Sequence, residues 1–141
     1  MRIYRIAQEE KYDYPFGEAH PLQSQIDQLE QSLESQFPGL DLDIWVTRGG
    51  YIELARINVP KDMRNQGIGH QVMQTLKNFA QSVNLPIVLR PEPEPRKKKK
   101  LMDFYKDVDF VKNKGRNEDY RLSTPFAPSM YWKPKDPKIE T

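Results

Sequence analysis

Apolar residues in this chain fall at two spacings, and the places where one gives way to the other mark out the elements. "RIYRIA", residues 2–7, alternates as a short strand and runs into a loop containing Tyr12, Tyr14, Pro15 and Phe16. "HPLQSQIDQLEQSLESQF" then sets Leu22, Ile26, Leu29, Leu33 and Phe37 at helical spacing, with Pro21, Ser24 and Asp27 as competing start signals and Pro38-Gly39 as the stop. "LDIWVT" and "YIELARINV" flank "RGG", whose glycines suit the positive φ angles of a tight antiparallel turn, so the two segments predict a hairpin. From Ile68 the residues Val72, Met73, Leu76, Phe79, Ala80 and Val83 make one broad helical face, and "LPIVLR" follows as a short buried strand.

"PEPEP", 91–95, cannot be regular structure, because proline removes a donor and disfavours helix in the residue before it. "RKKKKLMDFYKDV" predicts a further helix with Leu101, Phe104, Tyr105 and Val108 on its apolar side. "DFVKN", "DYRLS" and "SMYW" read as closing strands, and "KPKDPKIET" as a disordered tail. The expected organisation is one domain over 1–132, with 133–141 as the tail.

Composition narrows the chemistry. With 141 residues, 37% of them hydrophobic, the chain has enough material for one core. A net charge of +2 gives no global field toward nucleic acid or membrane, so a basic preference has to be local. The absence of cysteine excludes disulfides, thiolate metal sites and a cysteine nucleophile. His20 and His70 have no ligand-like spacing, so no metal is expected. No apolar run has the length of a signal peptide or a membrane span; the expected compartment is the cytoplasm, with no membrane partner.

One stretch stands apart. "RNQGIGHQVM", from Arg64, places Gly67 and Gly69 where a strand hands over to a helix. A helix start offers unpaired N–H groups and the positive end of the dipole, and glycines let ligand oxygens approach that backbone. The stretch suits a pyrophosphate, although two glycines at a helix start serve equally well as a turn. It is neither a dinucleotide fingerprint, which needs a third glycine, nor a P-loop, which needs Gly-Lys-Ser/Thr.

"INVPKDMRNQGIGHQVMQTL" resembles the acetyl-CoA-binding motif of the GNAT superfamily, Arg/Gln-x-x-Gly-x-Gly/Ala, with Arg64, Gly67 and Gly69 at its fixed positions. "LMDFYKDVDF" resembles the family's second signature, Phe-Tyr-x-x-x-Gly-Phe. The resemblance runs from about Tyr51 to Phe110 and implies an α+β fold with a central, mostly antiparallel twisted sheet flanked by helices. It implies an N-acetyltransferase moving an acetyl group from acetyl-CoA, its cosubstrate, to a primary amine of a small molecule, peptide or protein by direct transfer in a ternary complex. Backbone groups of Ile57 and Val59 would hold the pantetheine arm, with an N–H near Ile57 steadying the thioester oxygen. The backbone from Arg64 through Asn65, Gln66, Gly67, Ile68 and Gly69 to His70 would hold the pyrophosphate. Tyr105 matches the tyrosine that protonates the leaving thiolate, and Glu53 the glutamate that deprotonates the incoming ammonium; core tyrosine and half-exposed strand residue are the competing structural roles.

Three positions depart from the family pattern. Lys98 stands where asparagine is common, Asp109 stands where glycine is common, and the region before the hairpin supplies one strand fewer than the fullest form. Glu92 and Glu94 could hold a cationic amine or simply belong to a solvated linker; Tyr12, Tyr14, Phe16, Tyr131 and Trp132 could line the acceptor cleft or the core. The run Arg96 to Lys100 divides between a solvated surface, the 3′-phosphate of CoA and a nucleic-acid acceptor. A non-catalytic acyl-CoA-binding domain and a member acting on a nucleic-acid-linked amine are the alternatives, and a homodimer is an open possibility.

Overall fold

The computed structural model describes residues 21–47, 49–91, 96–122 and 129–135. The strand expected at 2–7, the aromatic loop after it, Glu92, Glu94 and residues 136–141 of the tail lie outside the described residues.

Helix α1 (Gln23–Gln36) buries Ile26 and Leu33. None of the competing start residues caps it: Leu22 is the N-cap, and no side chain bonds there. Gln23 instead turns across to the sheet, where its Oε1 accepts the Val46 N–H at 3.1 Å while its Nε2 donates to Asp27 at 2.9 Å. Glu34 accepts the Leu42 N–H at 3.2 Å, so two polar side chains fix the helix to β1 (Asp41–Val46). The hairpin to β2 (Ile52–Asn58) forms as its pattern predicts, with Gly50 at φ +83° in the turn. Register slips once, since Asp43 faces Arg56 and Ile44 faces Leu54, leaving Ala55 as a bulge.

Helix α2 (Ile68–Val83) crosses from β2 to β3 (Ile87–Leu89), which lies parallel to β2. After α3 (Lys98–Asp107) come β4 (Val111–Lys112) and β5 (Met130–Trp132). The sheet order is β1-β2-β3-β5-β4, and every neighbouring pair except β2–β3 is antiparallel. The described helices contribute to one core: Leu33 from α1, Val72, Met73 and Leu76 from α2 and Tyr105 from α3 pack with Ile44, Leu54, Ile87 and Met130. A smaller cluster of Val88, Leu122 and Tyr131, edged by Tyr51, covers the other face.

"DYRLS" is not a strand. Tyr120–Leu122 is a 3-10 turn, and the cause is Asp119: its Oδ1 accepts the Arg121 N–H at 3.0 Å and bends the chain locally. The same carboxylate pairs with Arg121 at 3.2 Å and Lys133 at 2.9 Å, and these partners, Arg121 first, hold its pKa well below the usual carboxylate range. Lys135 exchanges two hydrogen bonds with the Gln81 amide, at 2.8 and 3.0 Å. No helix among the described residues is long and apolar enough to cross a membrane.

Candidate functional site

β2 and β3 stay together only briefly. Ile52, Glu53 and Leu54 face Ile87, Val88 and Leu89, and beyond them β2 continues against β1 with no strand among the described residues on its other side. A cleft follows that open edge. Its narrow end, about 410 Å³, lies between Glu53, Ala55, Arg90, Leu101 and Tyr105. Its middle, about 370 Å³, shares Ile57, Leu101 and Tyr105 with the first part and adds Val59, Lys97 and Lys100. Its wide end, about 850 Å³, shares Val59, Gly69, Lys100 and Phe104 with the middle and is bounded by Gly67, His70, Arg96 and Lys99.

The wide end is built by the glycine stretch. Asn65 and Gly67 both have left-handed φ, +65° and +76°, which curls the chain into α2 with Gly67 as its N-cap. The first helical hydrogen bond runs from the Gln71 N–H to the Gly67 carbonyl at 3.0 Å, so the N–H groups of Ile68, Gly69 and His70 have no acceptor within the helix. The two glycines do different work. A Cβ on Gly67 would meet open space, and its need is conformational. A Cβ on Gly69 would come within 3.1 Å of the Phe104 ring, so the missing side chain lets α3 close over α2. His70 stacks edge-on against the same ring, with centroids 5.1 Å apart.

Tyr105 forms the cleft wall where the narrow and middle parts meet. It is 7% exposed, and its hydroxyl has no hydrogen-bond partner among the described residues. Burial pushes its pKa up to about 12. Glu53 stands opposite Trp45 on one side and Val88 on the other; because Ile52 and Leu54 enter the main core, its side chain takes the other face of β2, half-buried.

No known family profile matches the sequence, and a search of curated proteins finds no match. Solved structures do match. The anti-CRISPR protein AcrVA5 aligns with a TM-score of 0.50 at 24% identity, over 67% of this chain and 90% of its own. Ard1 from Thermoplasma volcanium aligns with a TM-score of 0.51 at 17% identity, over 94% of this chain and 89% of its own. This chain has the GNAT fold. The toxin AtaT, solved with the C-terminus of the antitoxin AtaR and acetyl-CoA, overlaps less, with a TM-score of 0.38 at 16% identity over 67% of this chain and 55% of its own.

The cleft of this GNAT fold brings together most of the residues singled out in the sequence. Ile57, Val59, Arg64, Gly69 and Tyr105 share its middle, and Asn65, Gly67, Ile68 and His70 join at the wide end. Glu53 lies at the narrow end with Tyr105. Gln66 lines none of the three parts, and its amide donates to the Asp62 carbonyl at 3.3 Å. Arg64 is folded back along the wall: Nε donates to the Val59 carbonyl at 2.9 Å, which engages one of the acceptors expected to serve pantetheine. Tyr131 packs with Val88 and Leu122, Trp132 lies against the main core, and neither lines the cleft.

Both departures in the second signature have a structural account. Asp109 takes the left-handed conformation a glycine would, at φ +73°. It also bonds Lys77, and the Phe110 N–H returns to the Tyr105 carbonyl at 2.9 Å to close α3. Lys98 points away from the cleft, toward a separate hollow with Pro91, Met102 and Asn113. The rest of the basic run does face it: Arg96 and Lys99 at the wide end, Lys97 in the middle, Lys100 in both. Arg90 and Arg56, at the narrow end, were not foreseen as site residues; Arg90 ends the "IVL" strand, and nothing in the sequence reveals that β2 and β3 part beside it.

Proposed function

We propose that this protein is an acyl-CoA-dependent N-acyltransferase that moves an acetyl group from acetyl-CoA to a primary amine within a ternary complex. The observation that carries this reading is the open edge of β2, along which one continuous cleft joins an anion-suited helix mouth to a carboxylate and a buried phenol. The residues fit the cosubstrate. The N–H groups of Ile68, Gly69 and His70, which have no acceptor within α2, suit a pyrophosphate, the strand edge left unpaired among the described residues suits an extended amide-bearing arm, and Arg96, Lys97, Lys99 and Lys100 suit a further phosphate.

At the reacting centre the amine nitrogen attacks the thioester carbon, the C–N bond forms and the C–S bond breaks. Glu53, directly or through water, takes the proton the ammonium must lose before its lone pair can attack. Tyr105 donates to the departing sulfur. A phenol near 12 is a weaker acid than a thiol near 8.5, so its hydrogen bond to the developing thiolate, rather than a completed transfer, carries the rate effect. The second proton, lost from nitrogen as the amide forms, leaves through water and balances the charge of the departing thiolate; Glu53 then returns its own proton to water, and Tyr105 keeps its proton throughout.

Native mass spectrometry with acetyl-CoA, followed by free-thiol release with a panel of primary amines, tests this function. Amine-dependent thiol release is expected, with Glu53→Gln depressing the rate most at low pH and recovering at high pH, where the amine is already deprotonated. Tight acetyl-CoA binding with no release from any amine would make the protein a non-catalytic acyl-CoA binder.

A further inference from the structure

The narrow end of the cleft holds more positive charge than an amine acceptor calls for. Among the described residues, one carboxylate, Glu53, shares it with two guanidinium groups, Arg56 and Arg90. Arg56 is answered by Asp41 at 3.2 Å across the β1–β2 pair. Arg90 is different: it is half-buried and makes no hydrogen bond or ion pair among the described residues. Its position follows from strand geometry. Ile87 and Leu89 enter the main core, so Val88 and the next residue but one, Arg90, take the opposite face, the same face as Glu53, which pairs with Val88. Tyr51 corroborates the closeness of the two charges. Its hydroxyl pKa is raised by burial first and by Glu53 next, and is drawn back by Thr47 and Arg90, so the carboxylate and the guanidinium act on the same ring.

A guanidinium that has lost part of its water and has no anionic partner among the described residues is one that an anionic ligand can complete. Its planar fork matches a carboxylate or a phosphate in bidentate geometry. A polycationic amine would meet Arg90 as a repulsion beside the base. We propose that the acceptor is a primary amine that also carries an anionic group, carboxylate or phosphate, held by Arg90 while the amine faces Glu53. This inference rests on the transferase reading above, and it assigns to Arg90 the choice of substrate.

Matched probes test it on the full-length protein. Glycine, β-alanine and 4-aminobutyrate are each compared with the corresponding amide, and O-phosphoethanolamine with ethanolamine. Two readouts are taken: kcat/KM from thiol release with acetyl-CoA, and calorimetric affinity for each probe in the presence of CoA. At least one anionic probe should exceed its neutral match by about tenfold or more in both, the scale of a charge-assisted hydrogen bond. Whether the carboxylates or the phosphate show that preference names the group. Arg90→Gln should erase the preference and Arg90→Lys should restore part of it, with melting temperatures confirming that both variants fold. Equal treatment of every matched pair, or an undiminished preference in Arg90→Gln, overturns the proposal. Preferential binding of an anionic probe that needs Arg90, with no thiol release from any probe, overturns the transferase reading and leaves the Arg90 site standing.

Discussion

Lys77 on α2 and Asp109 at the end of α3 meet at 2.9 Å, and the same ammonium donates to the Val108 carbonyl at 3.2 Å. The two ends of this pair are unequal. The Lys77 side chain is 10% exposed and Asp109 72%, so the carboxylate is well screened and the buried amine with its carbonyl is the sensitive part. Lys77→Ala should therefore cost about 1–3 kcal/mol in urea denaturation, because a buried carbonyl loses its donor and the stem its packing. Asp109→Gly should be close to neutral, since glycine gains in the left-handed conformation what the exposed pair loses. Asp109→Val should cost about 1–2 kcal/mol from backbone strain. Equal costs for Lys77→Ala and Asp109→Gly would contradict this division.

Tyr105 gives a prediction with opposite signs for stability and rate. Its buried hydroxyl has no partner among the described residues, so Tyr105→Phe should leave stability unchanged or slightly higher. The proposed hydrogen bond to the departing sulfur predicts a fall in turnover of roughly 10²- to 10³-fold with acetyl-CoA binding intact. The pH dependence separates the two further. The folded pKa, about 12, lies above the ordinary value of 10.0, so the stability this group contributes is present in full below pH 10.0. It is lost as pH rises toward 12, because only the unfolded chain ionises in that window. Denaturation followed from about pH 9 to about pH 11, across the ordinary phenol value of about 10, should show a steeper alkaline loss in the wild type than in Tyr105→Phe. Parallel curves would mean that the ring is not held protonated by burial.

Gly69 and Phe104 couple two helices, and this separates packing from ligand binding. Gly69→Val drives a side chain into the Phe104 ring and should both destabilise the protein and weaken CoA binding. Adding Phe104→Leu should recover much of the stability by opening the contact. CoA affinity should stay low in the double variant if bare backbone at Gly69 is also what the pyrophosphate approaches. Full recovery of affinity would reduce Gly69 to a packing residue.

Much of this was legible in the sequence because it depends on local periodicity. The faces of α1 and α2, the Gly50 turn and the buried triplet Ile87 to Leu89 each follow from spacing within one segment. What was not legible depends on partners distant in sequence. Tyr120–Leu122 has a strand-like pattern, but Asp119 bonds its own backbone and ties itself to Lys133, more than ten residues on. Lys77 looks like an exposed residue at the edge of an apolar face until Asp109 arrives to pair with it. Arg90 reads as the polar end of a strand, and becomes a site residue only because β2 and β3 part beside it. The basic run is a similar case: its composition is plain, while its direction is a property of helix phase.

That phase supplies the last prediction. Arg96, Lys97, Lys99 and Lys100 line the middle and wide parts of the cleft, whereas Lys98 lines another hollow. With Arg64 they set five cations against two carboxylates, Asp103 and Asp107, a larger excess than the +2 of the entire chain. Lys99 already spends part of its charge on Asp103, at 2.9 Å. Arg96 is held in the left-handed region at φ +71°, and positive charge at a helix start opposes the macrodipole, so an anion bound there would be favoured. If that anion is the 3′-phosphate of CoA, neutralising Lys97 and Lys100 to Gln should weaken CoA binding by about tenfold or more, by the strength of charge-assisted hydrogen bonds. Binding of dephospho-CoA should hardly change, and Lys98→Gln should affect neither. Equal losses for the two ligands would move these cations to the pyrophosphate. Strongly salt-dependent binding of RNA or DNA by the wild type, diminished in the Lys97 and Lys100 variant, would instead make the run a nucleic-acid contact.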